Sequence, residues 1–167
     1  DYITISTTGN ATDFGDRTVS KAQLAACSDG TKGIFGGGTS SDDTIDYVTI
    51  STTGNATDFG NLTVGRGQLA ACASLIRGLF GGGDSSSNVI EYITIASIGD
   101  ATDFGNLSAG RHFIGSCSDG TKGVWAGGST GSISNIIDYV TIDTTGNATD
   151  FGDLTGIRQS LSGLSGD

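Results

Sequence analysis

The 167 residues contain no proline, no methionine, one histidine, one tryptophan and only eight lysines and arginines. Each scarcity excludes something. The eight cations are scattered among 18 carboxylates, giving a net charge of −10, so there is no clustered basic face to neutralise phosphates, and no nucleic-acid partner is expected. No apolar run approaches the roughly 20 residues that a helix needs to cross a bilayer, and no basic segment leads into an apolar one as in a secretory signal. A soluble chain without membrane insertion is expected. The three cysteines are odd in number and lie 45 residues apart, which matches no zinc-ligand spacing; inert core thiols and synthesis in a reducing cytoplasm are expected. The first residue is Asp1, inside a repeat, so the ends are expected to be cuts in something longer.

What the chain has in abundance is glycine, 29 residues of it, among many Thr, Ser, Ile and Val. That profile belongs to short strands joined by tight turns and leaves little room for long helices. A tandem repeat is plain. Tyr2, Tyr47, Tyr92 and Tyr139 each sit in a Tyr-Ile/Val-Thr-Ile block, and Asp13-Phe14-Gly15 returns at Asp58, Asp103 and Asp150, in steps of 45, 45 and 47. The runs Gly36-Gly37-Gly38 and Gly81-Gly82-Gly83 return as Ala126-Gly127-Gly128, and Cys27, Cys72 and Cys117 keep the same step. The two extra residues of the last step fall in the Ser/Gly-rich stretch 129–134, as insertions into loops do. A single repeat array over 1–167 follows, with units of 21–65, 66–110 and 111–157 between partial units 1–20 and 158–167.

Each unit divides into four strand candidates, exemplified by 22–28, 32–37, 45–51 and 57–63, with turn chemistry such as Ser28-Asp29-Gly30 between them. Four short antiparallel strands per unit is the make-up of a propeller blade. Phe35, Phe80 and Trp125 share one position and, with Tyr47 and Phe59, supply the bulk to fill the space between stacked sheets, while the triple glycines allow close backbone approach. Three glycine-run strands but four Tyr and Asp-Phe-Gly blocks are too few for an ordinary closed ring of four to eight blades, and the chain stops at Ser165-Gly166-Asp167, where the next turn is due. Three outcomes are therefore expected as alternatives: further repeats outside this segment, chains combining as an oligomer, or an open array stacked on partners.

Candidate chemistry is sparse. His112 is the sole histidine and replaces Ala22 and Gly67 of the other repeats, so it serves no repeated function. Asp-Phe-Gly shares its letters with the magnesium-binding triplet of protein kinases, but the accompanying catalytic and nucleotide loops are absent, and four copies at blade spacing indicate structure. No Lys-Ser/Thr and no helix follow the glycine runs, so they are no phosphate cradle. The acidic groups Asp42-Asp43, Asp13 with Asp16, and Asp150 with Asp153 offer oxygen ligands to calcium, but without any known calcium-loop spacing; solvated turns are the expected role, and no cofactor is expected. Gly-Asn-Ala-Thr has the form of a glycosylation sequon, with turn chemistry as the expected reading. The row Lys21, Arg66, Arg111 and Arg158 is expected either to line a channel mouth or, preferably, to pair with the turn aspartates.

The residues in this pattern resemble kelch repeats: a basic residue (Lys21, Arg66, Arg111, Arg158), a hydrophobic residue before a double glycine (Phe35, Phe80, Trp125), and an aromatic residue in the third strand (Tyr47, Tyr92, Tyr139). The resemblance covers essentially the whole chain and departs at the last aromatic, where Phe14, Phe59, Phe104 and Phe151 stand in place of Trp. It implies an all-β, kelch-like β-propeller fold of four-stranded antiparallel blades. The wording Tyr-Val-Thr-Ile-Xaa-Thr-Thr-Gly-Asn-Ala-Thr-Asp-Phe-Gly is also similar to repeats in virion structural proteins of marine and cyanobacterial phages, which are associated with tail fibres and adhesins. The expected function is then a non-enzymatic structural or binding module on a virion surface, whose partners are other virion proteins or a host-surface glycan or protein. The alternative is a cellular kelch-like domain for protein interaction or carbohydrate binding. A galactose-oxidase-like enzyme is not expected, since its cluster of His, Tyr and Cys ligands is missing. Recognition is expected in the variable loops, at Ser40, Asp42 and Asp43, at Asp84, Ser86 and Asn88, and at Ser129, Ser132 and Asn135.

Overall fold

A computed structural model describes residues 1–164; residues 165–167, the expected start of a further turn, lie outside it. Its strands form three separate four-stranded antiparallel sheets, each a meander in sequence order. The first holds β1 (Ala25–Ser28), β2 (Lys32–Gly38), β3 (Asp42–Thr49) and β4 (Thr57–Asn61). The second holds β5 (Ala70–Ala73), β6 (Arg77–Gly81), β7 (Val89–Thr94) and β8 (Thr102–Asn106). The third holds β9 (Gly115–Ser118), β10 (Lys122–Ala126), β11 (Ile136–Thr141) and β12 (Thr149–Asp153). A 3-10 turn, Asp84–Ser86, is the one helical element among the described residues. The molecule is thus all-β and repetitive, and no closed ring forms among the described residues.

Local chemistry explains the turns. In the β1–β2 and β9–β10 hairpins an aspartate side chain, Asp29 or Asp119, accepts the N–H groups of the last turn residue and of the first residue of the next strand, at 2.6–2.8 Å. The middle sheet reaches the same result with Ser74, whose hydroxyl accepts from Ile76 and Arg77 at 3.1 Å. The third strand begins at Asp42, three residues before the position expected from the sequence. The reason is a bulge: Gly37 takes a left-handed φ of +72°, which restores pairing between Gly38 and Asp42 and shortens the loop.

The Asp-Phe-Gly triplet is a second bulge. Ile45 pairs with Gly60 and Asp46 with Asp58, leaving Phe59 as the extra residue and turning its ring into the core. There it meets Tyr47 edge to face, with centroids 5.9 Å apart, and the second sheet repeats this with Tyr92 and Phe104 at 6.0 Å. Gly60 is glycine because a Cβ would stand 2.5 Å from the Gly99 carbonyl oxygen of the next sheet's turn.

The core lies between sheets. One apolar cluster joins the first and second sheets through Ile34, Ile45, Phe59, Phe80 and Ile93; another joins the second and third through Leu79, Ile90, Phe104 and Trp125. The first strands β1, β5 and β9 run side by side. Each interface repeats one rule, in which a bulky ring of the later sheet lies on a glycine of the earlier one. A Cβ on Gly36 would reach the Phe80 ring at 2.6 Å, and one on Gly81 would reach Trp125 at 2.8 Å. The thiols fit in the opposite sense, Cys27 against Gly78 and Cys72 against Gly123. Fully burying a side chain of Phe size contributes about 1.5–3 kcal/mol, so a few such contacts dominate each interface. Residues at the N-terminus repeat the outer half of a sheet: Tyr2 bridges Thr12 and meets Phe14 edge to face at 5.9 Å.

Candidate binding surface

The loops between second and third strands share one rim of the array with the linkers that lead into each first strand. Backbone bonds tie the two together: Thr39 N–H donates to Ala22 O at 2.9 Å, Asp84 N–H to Gly67 O at 2.9 Å, and Ser129 N–H to His112 O at 2.9 Å. Beneath this rim each sheet holds an ion pair, buried in the second and third. Arg111 Nη2 meets Asp138 Oδ2 at 2.5 Å with both side chains fully buried, and Nη1 also donates to the Gly127 and Ile136 carbonyls at 2.9 and 2.8 Å. Burial lowers the pKa of the Arg111 guanidinium, and Asp138 opposes that shift. Arg66 pairs with Glu91 in the same way and donates Nε to Gly82 O at 2.7 Å.

For Arg66 and Arg111 the expected pairing with turn aspartates is thus corrected: the partners are third-strand acids, Glu91 and Asp138. The first sheet departs further. Lys21 stands at the basic position, yet Asp46 takes Arg17, four residues earlier, with Nε to Oδ1 at 2.9 Å and the guanidinium 5.7 Å from the Phe35 ring centroid. Arg17 occupies the position that Leu62 and Leu107 fill in the later repeats. It covers a ring that, in the later sheets, is buried against the preceding one.

Of the nine loop residues expected to meet a partner, Ser40, Asp43, Asn88 and Ser132 are exposed, while Asp42, Asp84, Ser86 and Asn135 are half-buried. Ser129 is buried, its hydroxyl accepting from Gly131 N–H at 3.2 Å, so it offers a partner no side-chain surface. Asp42 lies inside β3 and accepts from the N–H and hydroxyl of Thr44; Ser87 and Ser134 accept in the same manner from Val89 and Ile136. Asp84 Oδ2 accepts the Gly67 N–H at 2.7 Å. The carbonyls of Asp43, Asn88 and Asn135 accept the N–H groups of Leu62, Leu107 and Leu154 at 2.7–2.8 Å. The loops are therefore braced by their own backbones, with the exposed hydroxyl and carboxamide groups projecting from a fixed base.

Along the first strands runs a groove of about 1040 Å³, with Ala26, Cys27, Ala71, Cys72 and Cys117 among its lining. The three thiols are free. Burial, with a smaller contribution from Asp29, pushes Cys27 up to about 12. Burial also raises Cys72 well above the ordinary thiol value, the neighbouring Cys27 and Cys117 adding to it. A thiol held protonated is a poor nucleophile and a poor metal ligand. Asp13 and Asp150, two of the acids considered for calcium, accept the N–H groups of Gly15 and Gly152 within their bulges.

The Gly-Asn-Ala-Thr turns have a use that sequence alone did not show. Asn55 Oδ1 accepts the N–H of Asp16 at 3.0 Å, Asp100 Oδ1 that of Asn61 at 2.9 Å, and Asn147 Oδ1 that of Asn106 at 3.0 Å, each across a sheet boundary. Asp100 performs the role with no amide to glycosylate, so the position selects an acceptor oxygen. Sequence reasoning also missed the left-handed residue two positions before each first strand, Gln23, Gln68 and Phe113, and its equivalent Ser160, with φ of 60°, 59°, 54° and 56°. Their equivalence was readable from the 45-residue step, but nothing in a glutamine announces that backbone.

Compared with known proteins, the chain matches no family model, and no curated protein matches it. Fold and surface together define a tandem array of four-stranded antiparallel sheets with braced rim loops.

Proposed function

We propose that the array is part of a kelch-like β-propeller and acts, without catalysis, as a structural and binding module on the surface of a phage-type virion, meeting other virion proteins or a host-surface glycan or protein. The observation that carries the reading is a division of labour: near-identical sheets hold rim loops that differ from repeat to repeat in sequence and length while their bases keep the same hydrogen bonds. Propeller blades are supported by the meander order and by first strands lying side by side. Continuation beyond three sheets, in a longer chain or an oligomer, is supported by interface groups left open on the third. Lys32 and Arg77 donate across boundaries to Ile95 O and Ile142 O, whereas their counterpart Lys122 is exposed; Phe151 is 58% exposed where Phe59 and Phe104 are buried. The free thiols fit assembly in a reducing cytoplasm before release.

The test is mass spectrometry and immunogold imaging of purified particles from the source culture. Peptides of this chain in the particle, with label on its surface, are expected. A protein confined to cells and fused to an adaptor or anchor would replace this reading with the cellular kelch-like interaction or carbohydrate-binding alternative.

A further inference from the structure

The third repeat departs from the other two at two places on the loop rim, and the fold brings them together. It carries His112-Phe113 where the others carry Ala22-Gln23 and Gly67-Gln68, and its loop after the glycine run is longer. His112 and Ser129 bridge in both directions, with N–H to O distances of 3.1 and 2.9 Å. On an otherwise uniform scaffold, variation is concentrated in one sector.

Phe113 also lines a cup of about 230 Å³ together with Gln23, Gln68 and Ser160, floored by the aliphatic residue that follows each. The same backbone device sets all four side by side. The N–H of Gln68 donates to Gln23 O at 2.8 Å, that of Phe113 to Gln68 O at 3.0 Å, and that of Ser160 to Phe113 O at 2.8 Å. Phe113 is a bulky residue held at φ 54°, a conformation uncommon for any residue but glycine and one that clusters where function retains it. Its ring is half-buried. The Gln68 carboxamide NH₂ bonds to Gln23 Oε1 at 3.3 Å, a bond that does not use the Gln23 NH₂ donor or the Gln68 oxygen acceptor. No charged side chain lines the cup.

We propose that this cup is a subsite for one neutral pyranose. The Phe113 ring takes the apolar C–H face of the sugar, and the two carboxamides with the Ser160 hydroxyl take its hydroxyl groups. A small, shallow, uncharged recess with one aromatic wall suits a sugar residue better than a charged ligand, which would find no counter-charge, or a large apolar one, which would find too little volume. The proposal rests on the chain's being a binding module, though not on where that module is displayed.

Saturation-transfer NMR on the purified chain tests it, with methyl β-D-galactopyranoside, methyl α-D-glucopyranoside and N-acetyl-D-glucosamine as probes. Saturation of at least one sugar is expected. Phe113→Ala is expected to weaken that binding at least about tenfold and Gln68→Ala severalfold, while Phe113→Trp retains it and Thr53→Ala, on the exposed turn between β3 and β4, leaves it unchanged. Cooperative melting of each variant establishes that it is folded. Binding of none of the three sugars, or binding by a folded Phe113→Ala equal to that of the native chain, overturns the proposal. Sugar binding by a chain that is absent from particles would instead leave the cup standing and remove the virion reading.

Discussion

Replacing Gly81 by alanine tests the contact on which sheet stacking depends. The new Cβ would stand 2.8 Å from Trp125 Nε1 and 2.9 Å from Cε2, where ordinary contact lies at 3.4 Å or more. The tryptophan is fully buried, and its Nε1 lies 3.4 Å from Ala70 O, so it cannot swing aside into solvent. The third sheet must move instead. Overpacking of this kind costs about 1–3 kcal/mol, and the stiffening of the unfolded chain by a Gly→Ala change returns about 0.4–1 kcal/mol, so a net loss of about 1–2 kcal/mol is expected. Trp125 is the only tryptophan, so its fluorescence reports on this interface during urea denaturation. A lowered midpoint with red-shifted native emission is expected. The third sheet supplies the control, because Ala126 already occupies the equivalent position, and Ala126→Gly relieves no ring contact. It should cost at most about 1 kcal/mol, from backbone entropy. A Gly81→Ala chain as stable as the native one, with unshifted emission, would refute the ring-on-glycine rule.

Asp138→Asn leaves Arg111 buried without its counter-charge and is expected to cost about 3–5 kcal/mol in the same denaturation assay, while the paired replacement Arg111→Met with Asp138→Leu costs far less. Asn147→Asp should be neutral, as Asp100 already shows an acid in that role, whereas Asn147→Leu loses a bond across the sheet boundary and about 1 kcal/mol. The thiols predict a pH dependence. Cys27 is raised from about 9 to about 12 in the folded chain, so its contribution is complete below about pH 9 and is lost as pH rises through about 12; stability should fall across that window. Iodoacetamide at pH 8 should label Cys72 far more slowly in the folded chain than after unfolding in urea, and equal rates would contradict its burial.

The strands were legible because the repeat supplies several copies of each turn signal, such as Ser-Asp-Gly after β1 and β9 and the glycine runs that close β2 and β6. The start of β3 was not, because pairing resumes through a left-handed Gly37, and a run of three glycines does not say which one bulges. The purpose of the glycines was half visible: close approach was readable, but not that Gly36 and Gly78 receive a ring and a thiol from the adjoining sheet, since partners 44 or more residues away leave no local trace. Arg66 and Arg111 were readable as ion-pairing residues, yet Glu91 and Asp138 hide in strands whose alternation gives them no special mark. Of the surface, the loops could be located by divergence alone, while the left-handed row at Gln23, Gln68 and Phe113 is a backbone property invisible in those side chains.

The most direct test of the stacked-sheet account is proton NMR of the Gly36 and Gly81 Hα atoms. The account predicts ring-current-shifted resonances for both, with nuclear Overhauser contacts from Gly36 to the Phe80 ring and from Gly81 to the Trp125 ring. Unshifted glycine signals without these contacts would mean that the sheets do not pack on one another in this way, and the account would fail.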